Sequence, residues 1–258
     1  MKKILYLLAG LLTAVSCTNE TPEAPASGNE AELRLAVAAE NESPVYIRAT
    51  DNPVADDLYV TVKNSGTGEV VVTPMTYGAL RQQGSLYLPG GADADHAVVY
   101  QVEAYSLSLA EAAVAQKGKP CFYAATEVKL VSGEITTAAL TARLQQVQFS
   151  FEPSTAFQSA FRSEGFKLSV STPNGHTVEY TSVAELSQSA YFPGGTAYDY
   201  VTLALQATTV EGFPVNFSQM IRRKADEQGA VPAMQVPLHL VVKLEVSTAG
   251  SATALLDE

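Results

Sequence analysis

The chain contains no tryptophan, two cysteines and three histidines in 258 residues. Two cysteines cannot staple a disulfide-dense mini-protein, and so few His and Cys cannot furnish a structural zinc module. Charged residues make up only 17% of the chain, and acids outnumber bases 27 to 16, for a formal net charge of −11. Binding nucleic acid needs a basic face to neutralise phosphates, so no nucleic-acid partner is expected. The charge-free apolar run at residues 4–14 falls short of the roughly 20 residues that a membrane-spanning helix needs. What is present is an apolar fraction of 47%, enough for a packed core, and a length that allows one large domain or two of about 110 residues.

Residues 1–16, MKKILYLLAGLLTAVS, have the layout of a signal peptide, with Lys2 and Lys3 ahead of the apolar run. Cys17 follows the small residues Ala14 and Ser16, an arrangement that resembles a bacterial lipobox. The resemblance implies lipidation of Cys17, a membrane partner through that lipid, and an outer-membrane address that is surface-exposed or periplasm-facing. Cleavage elsewhere, with Cys17 an incidental thiol, is the alternative. With Cys17 lipidated, Cys121 has no disulfide partner. Loss of Lys2 and Lys3 with the leader would take the formal charge from −11 to −13. Residues 17–31, rich in Thr, Pro, Ala, Ser, Gly and Glu, cannot bury enough surface to order themselves and read as a flexible tether. Residues 18–30 would span at most about 45 Å. Glu20 and Glu23 resemble the export signals of surface lipoproteins, and read equally well as part of a solvated acidic linker.

From residue 33 the apolar residues alternate. Leu33, Leu35 and Val37 do so, then Val98, Tyr100, Val102 and Ala104, then Val201, Leu203, Leu205 and Ala207, and most clearly Leu238, Leu240, Val242, Leu244 and Val246. Period two bounded by Gly, Pro, Asn and Ser signals half-buried strands, and their number predicts antiparallel sandwiches. Two short helices are expected, within residues 107–118 and 154–163.

An internal repeat organises the strands. LYVTVKNSGTGEVV (58–71), SLYLPGG (85–91) and VVYQVEAYS (98–106) are echoed by FKLSVSTPNGHTVEY (166–180), SAYFPGG (189–195) and VTLALQATT (201–209). Each Pro-Gly-Gly corner should end a strand, because Pro cannot donate to a ladder and Gly tolerates positive φ. The repeat predicts an all-β chain of two tandem antiparallel β-sandwich domains. Their expected bounds are 32–145 and 146–250, with a tail at 251–258.

Those stretches, with EAELRLAVAAE (30–40) and KPCFYAATEVKLVSGEITTAALTARL (119–144), resemble a family of Bacteroidetes lipoproteins of unknown function that are fimbrillin-like in plan. The resemblance covers most of the mature chain and implies a fimbria-like or adhesive surface protein. In fimbrillin-type subunits a protease removes the first strand, and the groove accepts a strand from another subunit. This implies protein partners by strand addition and makes Arg48 the candidate processing position. An ordinary loop cation in a chain that never polymerises is the alternative.

The motifs that carry chemistry are sparse. His96, His176 and His239 lie in unrelated contexts without ligand spacing; His176 and His239 are expected to face solvent. No G-x-S-x-G elbow holds a nucleophile, and Gly66 and Gly68 sit between strands, not ahead of a helix. Asp93 and Asp95 lack the further oxygens that a calcium loop requires. Cys121 reads as a buried structural thiol. No catalytic residue, metal or cofactor is expected. Sugar-binding surfaces favour exposed aromatics; without Trp, the candidate ligand loop is Tyr198 with Tyr200, just past the second corner. The reading is a non-enzymatic, lipid-anchored adhesion or fimbria-like protein; a surface glycan-binding accessory lipoprotein is the alternative.

Overall fold

The computed structural model describes residues 28–40, 54–195, 197–236, 238–246 and 252–257. The first strands are β1 (Glu30–Glu40), β2 (Tyr59–Asn64), β3 (Val70–Thr76), β4 (Leu86–Pro89) and β5 (Val98–Tyr105). They are followed by β6 (Gln116–Lys117), β7 (Phe122–Leu130) and β8 (Ile135–Leu144). After the single residue Gln145 come β9 (Gln146–Pro153), β10 (Lys167–Ser171), β11 (Thr177–Tyr180) and β12 (Ala190–Pro193). The chain ends with β13 (Val201–Thr208), β14 (Pro214–Ile221), β15 (Leu238–Val246) and β16 (Ala252–Asp257). Among the described residues three short α-helices punctuate them: α1 (Tyr77–Gln83), α2 (Leu109–Ala112) and α3 (Thr155–Ala160). The chain is an all-β sandwich fold with minor helix.

The repeat seen in the sequence is a repeat of topology. The first sheet runs β3-β2-β5-β7-β8-β1-β4, and the other two run β11-β10-β13-β14 and β16-β15-β9-β12-β6. The order β3-β2-β5-β7 thus recurs as β11-β10-β13-β14, and β8-β1-β4 recurs as β15-β9-β12. In the first half the two arms join through Phe122↔Leu144 and Tyr123↔Arg143. The sheet then closes over one apolar cluster fed by β1, β2, β4, β5, β7 and β8. A second cluster is fed by β9 through β16, with Phe149, Phe151, Phe157 and Phe192 fully buried. Each such side chain contributes about 1.5–3 kcal/mol of burial. The halves are stitched together: β6 pairs with β12, and Tyr191 of β12 packs in the first cluster.

Antiparallel pairing dominates among the described strands, as expected, with two parallel strand pairs. β1 runs parallel to β8 from Glu32↔Ile135 to Glu40↔Arg143, and β9 runs parallel to β15 from Val147↔Leu238 to Pro153↔Leu244. In each half the opening strand lies beside one that arrives much later, so no hairpin dictates opposite directions. The ends also differ from expectation. β1 begins at Glu30, inside the expected tether, and residues 252–257 pair along β15 where a tail was expected.

The expected helices are shorter. α2 stops at Ala112 after a Ser108–Glu111 capping box, and Gln116 and Lys117 turn into β6. α3 starts at the Ser154 cap, whose hydroxyl accepts from the Phe157 amide at 3.2 Å. It brings Phe157 edge-on to Phe161, with ring centroids 5.1 Å apart.

Candidate functional site

β1 is covered unequally along its two edges. β8 pairs with it from Glu32 to Glu40, whereas β4 pairs only with Glu30 to Leu33. In an extended strand successive residues turn their N–H and C=O groups to opposite edges. The Glu32 amide donates to the Glu134 carbonyl on the β8 side, so the even-numbered residues serve β8. Leu35, Val37 and Ala39 therefore turn their main-chain groups to the other edge. No strand among the described residues lies there, and Tyr77 reaches it, donating from its hydroxyl to the Leu35 carbonyl at 3.0 Å.

α1 forms the rim. Thr76 accepts from the Ala79 amide at 3.3 Å and starts the helix, which buries Leu80 and ends at Gly84. Between α1 and β1 lies a cavity of about 260 Å³ lined by Leu33, Leu35, Tyr77, Leu80, Ser85 and Leu86 among others. A second, shallower hollow continues past Tyr77 along Val37 and Leu140. At the head of the groove Glu32 is buried, its Oε1 accepting from Arg34 Nε at 2.6 Å and Ser85 Oγ at 2.5 Å. The Arg34 hydrogen bond, then that of Ser85, holds its carboxyl below the usual carboxylate range against the opposing effect of burial. An unpaired edge beside an apolar channel can accept an extended segment by main-chain hydrogen bonding, with side chains entering the channel.

The residues singled out from the sequence are scattered over the fold. Cys17 and Arg48 lie outside the described residues. Tyr198 and Tyr200 do not form a ligand loop. Tyr198 is only 5% exposed, belongs to the second core cluster, and exchanges main-chain hydrogen bonds with Met234. Its burial pushes the phenol's pKa upward. Tyr200 is half-buried with the Arg222 guanidinium 5.6 Å from its ring centre. Two tyrosines two apart in sequence thus divide between core and rim, and no joint sugar-stacking surface results.

His239 also departs from expectation. It is 2% exposed, and its Nε2 lies 2.7 Å from Ser150 Oγ, which is 3.0 Å from Ser189 Oγ. Gln148 Nε2 donates to Ser189 at 3.1 Å. Both faces of β9 are buried, so the polar residues alternating with its phenylalanines form an internal network. A serine and a histidine at bonding distance are closed to solvent there. Cys121 is buried as expected. Its amide donates to Gln146 Oε1 at 2.8 Å, and burial pushes its thiol pKa up to about 11.

Asp93 Oδ1 accepts from the Asp95 and His96 amides and lies 2.8 Å from His96 Nδ1, closing its own loop. Among the described residues no cluster of three or more His, Cys, Asp or Glu could hold a metal. Among the same residues no helix is long and apolar enough to cross a membrane.

No curated protein matches the chain. Among solved structures it is similar to the fimbrial anchor protein Mfa2 of Porphyromonas gingivalis, with 10% identity and a TM-score of 0.42 over 88% of this chain and 97% of that one. It is also similar to a fimbrial assembly protein of Parabacteroides distasonis, with 9% identity and a TM-score of 0.46 over 89% and 95% of the two chains. The family model described as Domain of unknown function (DUF4493) matches residues 29–254, and the chain belongs to that family.

Proposed function

We propose that the protein is a lipid-anchored outer-membrane protein with a non-enzymatic adhesion or fimbria-like structural role. Acylated Cys17 and the tether would hold two sandwich domains, divided at residues 145–146, away from the membrane. Protein partners would engage by adding a strand at β1. The observation that carries the reading is the edge of Leu35, Val37 and Ala39, which no strand among the described residues covers, beside the groove under α1. Arg48 is the candidate processing position. A cut after it would sever β1 from the strands that follow, so that an incoming strand could take its place beside β8, whereas the uncut chain would take a strand on the open side of β1.

The test is brief trypsin treatment of whole cells carrying the full chain, followed by denaturing gels. A ladder of oligomers is expected, and it should vanish in Arg48→Gln; a persistent monomer in the parent overturns strand addition. The anchor is tested separately by Cys17→Ala, which should release the protein from membranes. Unchanged partitioning would sink that part of the proposal.

A further inference from the structure

The face of β2, β5 and β7 that points away from the first core carries a row of tyrosines. Tyr59 is paired with Tyr105 and Tyr105 with Tyr123, so the three stand side by side across neighbouring strands. Tyr59 and Tyr105 are stacked, with centroids 6.1 Å apart and planes 29° apart. One residue along each strand the chain turns inward, and the next outward row holds Thr61 and Glu103. The row after that brings Lys63 opposite Gln101. Leu109 of α2 lines the hollow over this face, whose volume is about 390 Å³.

The polar groups are fixed in place. Glu103 takes hydrogen bonds from Tyr123 Oη at 3.1 Å, Gln101 Nε2 at 3.3 Å and Lys63 Nζ at 3.0 Å. The Tyr105 hydroxyl lies 3.2 Å from Thr61 Oγ1, and Thr61 is itself 4% exposed. Both rings are thus pinned by their hydroxyls, and the Glu103 side chain is only 16% exposed. An ammonium has three donors and a carboxylate about four acceptor positions, so Lys63 keeps donors to spare after pairing with Glu103, and Glu103, accepting from three groups, keeps about one acceptor position on Oε2.

We propose that this face is a binding site for a neutral saccharide. Adjacent hydroxyls of a sugar ring each donate and accept, and the Lys63–Glu103 pair offers a donor and an acceptor side by side. The apolar face of the ring can lie on the pinned tyrosines, which lose little entropy on binding. Other ligand classes fit worse. An anion meets Glu103, and a cation meets a carboxylate already neutralised by Lys63. An extended peptide finds no free main-chain edge at β2 or β5, which carry Tyr59, Thr61, Lys63, Glu103 and Tyr105, because each is paired on both sides. The site lies in the first half of the chain and shares no residue with the groove at β1.

The test is affinity electrophoresis of the full-length protein through gels containing laminarin, yeast mannan or galactomannan. Retardation by at least one is expected. Glu103→Gln, which keeps the side chain's shape, and Tyr105→Ala should each weaken that binding by about tenfold or more, while Tyr200→Ala leaves it unchanged. Circular dichroism and urea unfolding check that the variants fold. No retardation by any of the three, or retardation that survives both substitutions in folded protein, overturns the proposal. So does binding of an extended peptide library at this face without polysaccharide binding.

Discussion

The Tyr77 hydroxyl meets the Leu35 carbonyl at 3.0 Å just past Leu33↔Leu86, the last pair between β1 and β4. Tyr77 therefore stands where a continuing β4 would have supplied the next hydrogen bond. Removing the donor in Tyr77→Phe leaves a carbonyl that water can reach, so the loss of stability should be small, about 0.5–1.5 kcal/mol in urea unfolding. The more telling measurement is position-specific. Amides of Val37 and Ala39 should exchange rapidly with deuterium, and those of Ala36 and Ala38 slowly. Ala39→Pro should accordingly fold, whereas Ala38→Pro breaks the β8 ladder and costs about 1–3 kcal/mol more. Equal protection at all four amides would mean that the edge is covered.

The two Pro-Gly-Gly corners look alike in sequence and are built differently. None of Gly90, Gly91, Gly194 and Gly195 adopts a positive φ, so the expected backbone reason for glycine does not apply. Close approach replaces it. A Cβ on Gly91 would collide with the His96 carbonyl, and one on Gly90 would sit 2.5 Å from the Ser132 amide nitrogen. A Cβ on Gly194 would strike Val236, while Gly195 has nothing within 4 Å. Gly91→Ala and Gly194→Ala should each cost about 1–3 kcal/mol or more, and Gly195→Ala should stay within about 0.5 kcal/mol. Urea midpoints of the three variants decide this; equal effects at 194 and 195 would contradict the packing difference.

Alternation and the repeated corner are local signals, and they were legible. Leu203, Leu205 and Ala207 mark β13, and Pro89 and Pro193 end β4 and β12 as the sequence reading requires. What alternation cannot report is whether the second face of a strand is also covered. For that reason His239 read as solvent-facing and proved internal, beside the buried Ser150 and Gln148. α1 escaped notice because a seven-residue helix has only its Thr76 cap to announce it, at the end of a β-branched run. The tyrosine row was hidden for another reason. Tyr59, Tyr105 and Tyr123 become neighbours only through cross-strand register, which separate stretches of sequence do not display.

Cys121 offers a probe of the junction between the halves. Its side chain is fully buried, its thiol is held at a pKa of about 11 chiefly by that burial, and its amide bonds to Gln146 at the start of β9. In a Cys17→Ser background, a thiol reagent at about pH 8 should leave native Cys121 unmodified and label it fully in denaturant. Gln146→Leu removes the acceptor for a buried amide and should cost about 1–3 kcal/mol while accelerating labelling. Rapid labelling of the native parent would show that the junction opens readily.

Glu32 ties β1 to the short link between α1 and β4, since it bonds Arg34 two residues on and Ser85 just ahead of β4. Its folded-state pKa lies below the ordinary carboxylate value of about 4.3, first through Arg34 and then through Ser85. A depressed carboxylate binds fewer protons folded than unfolded in the window between the two values. Its contribution to stability is therefore present above the ordinary value and is lost as pH falls through the folded one. Glu111 and Glu185 are shifted the same way, so the acid limb of the parent alone cannot isolate Glu32. The difference between parent and Glu32→Gln can. The gap in urea midpoint should be widest near neutrality and close as pH drops below about 4. Parallel curves would show that the charge contributes nothing. Loosening this clamp at neutral pH should also speed exchange of the Ala31 and Leu33 amides, which face β4, before that of any amide facing β8.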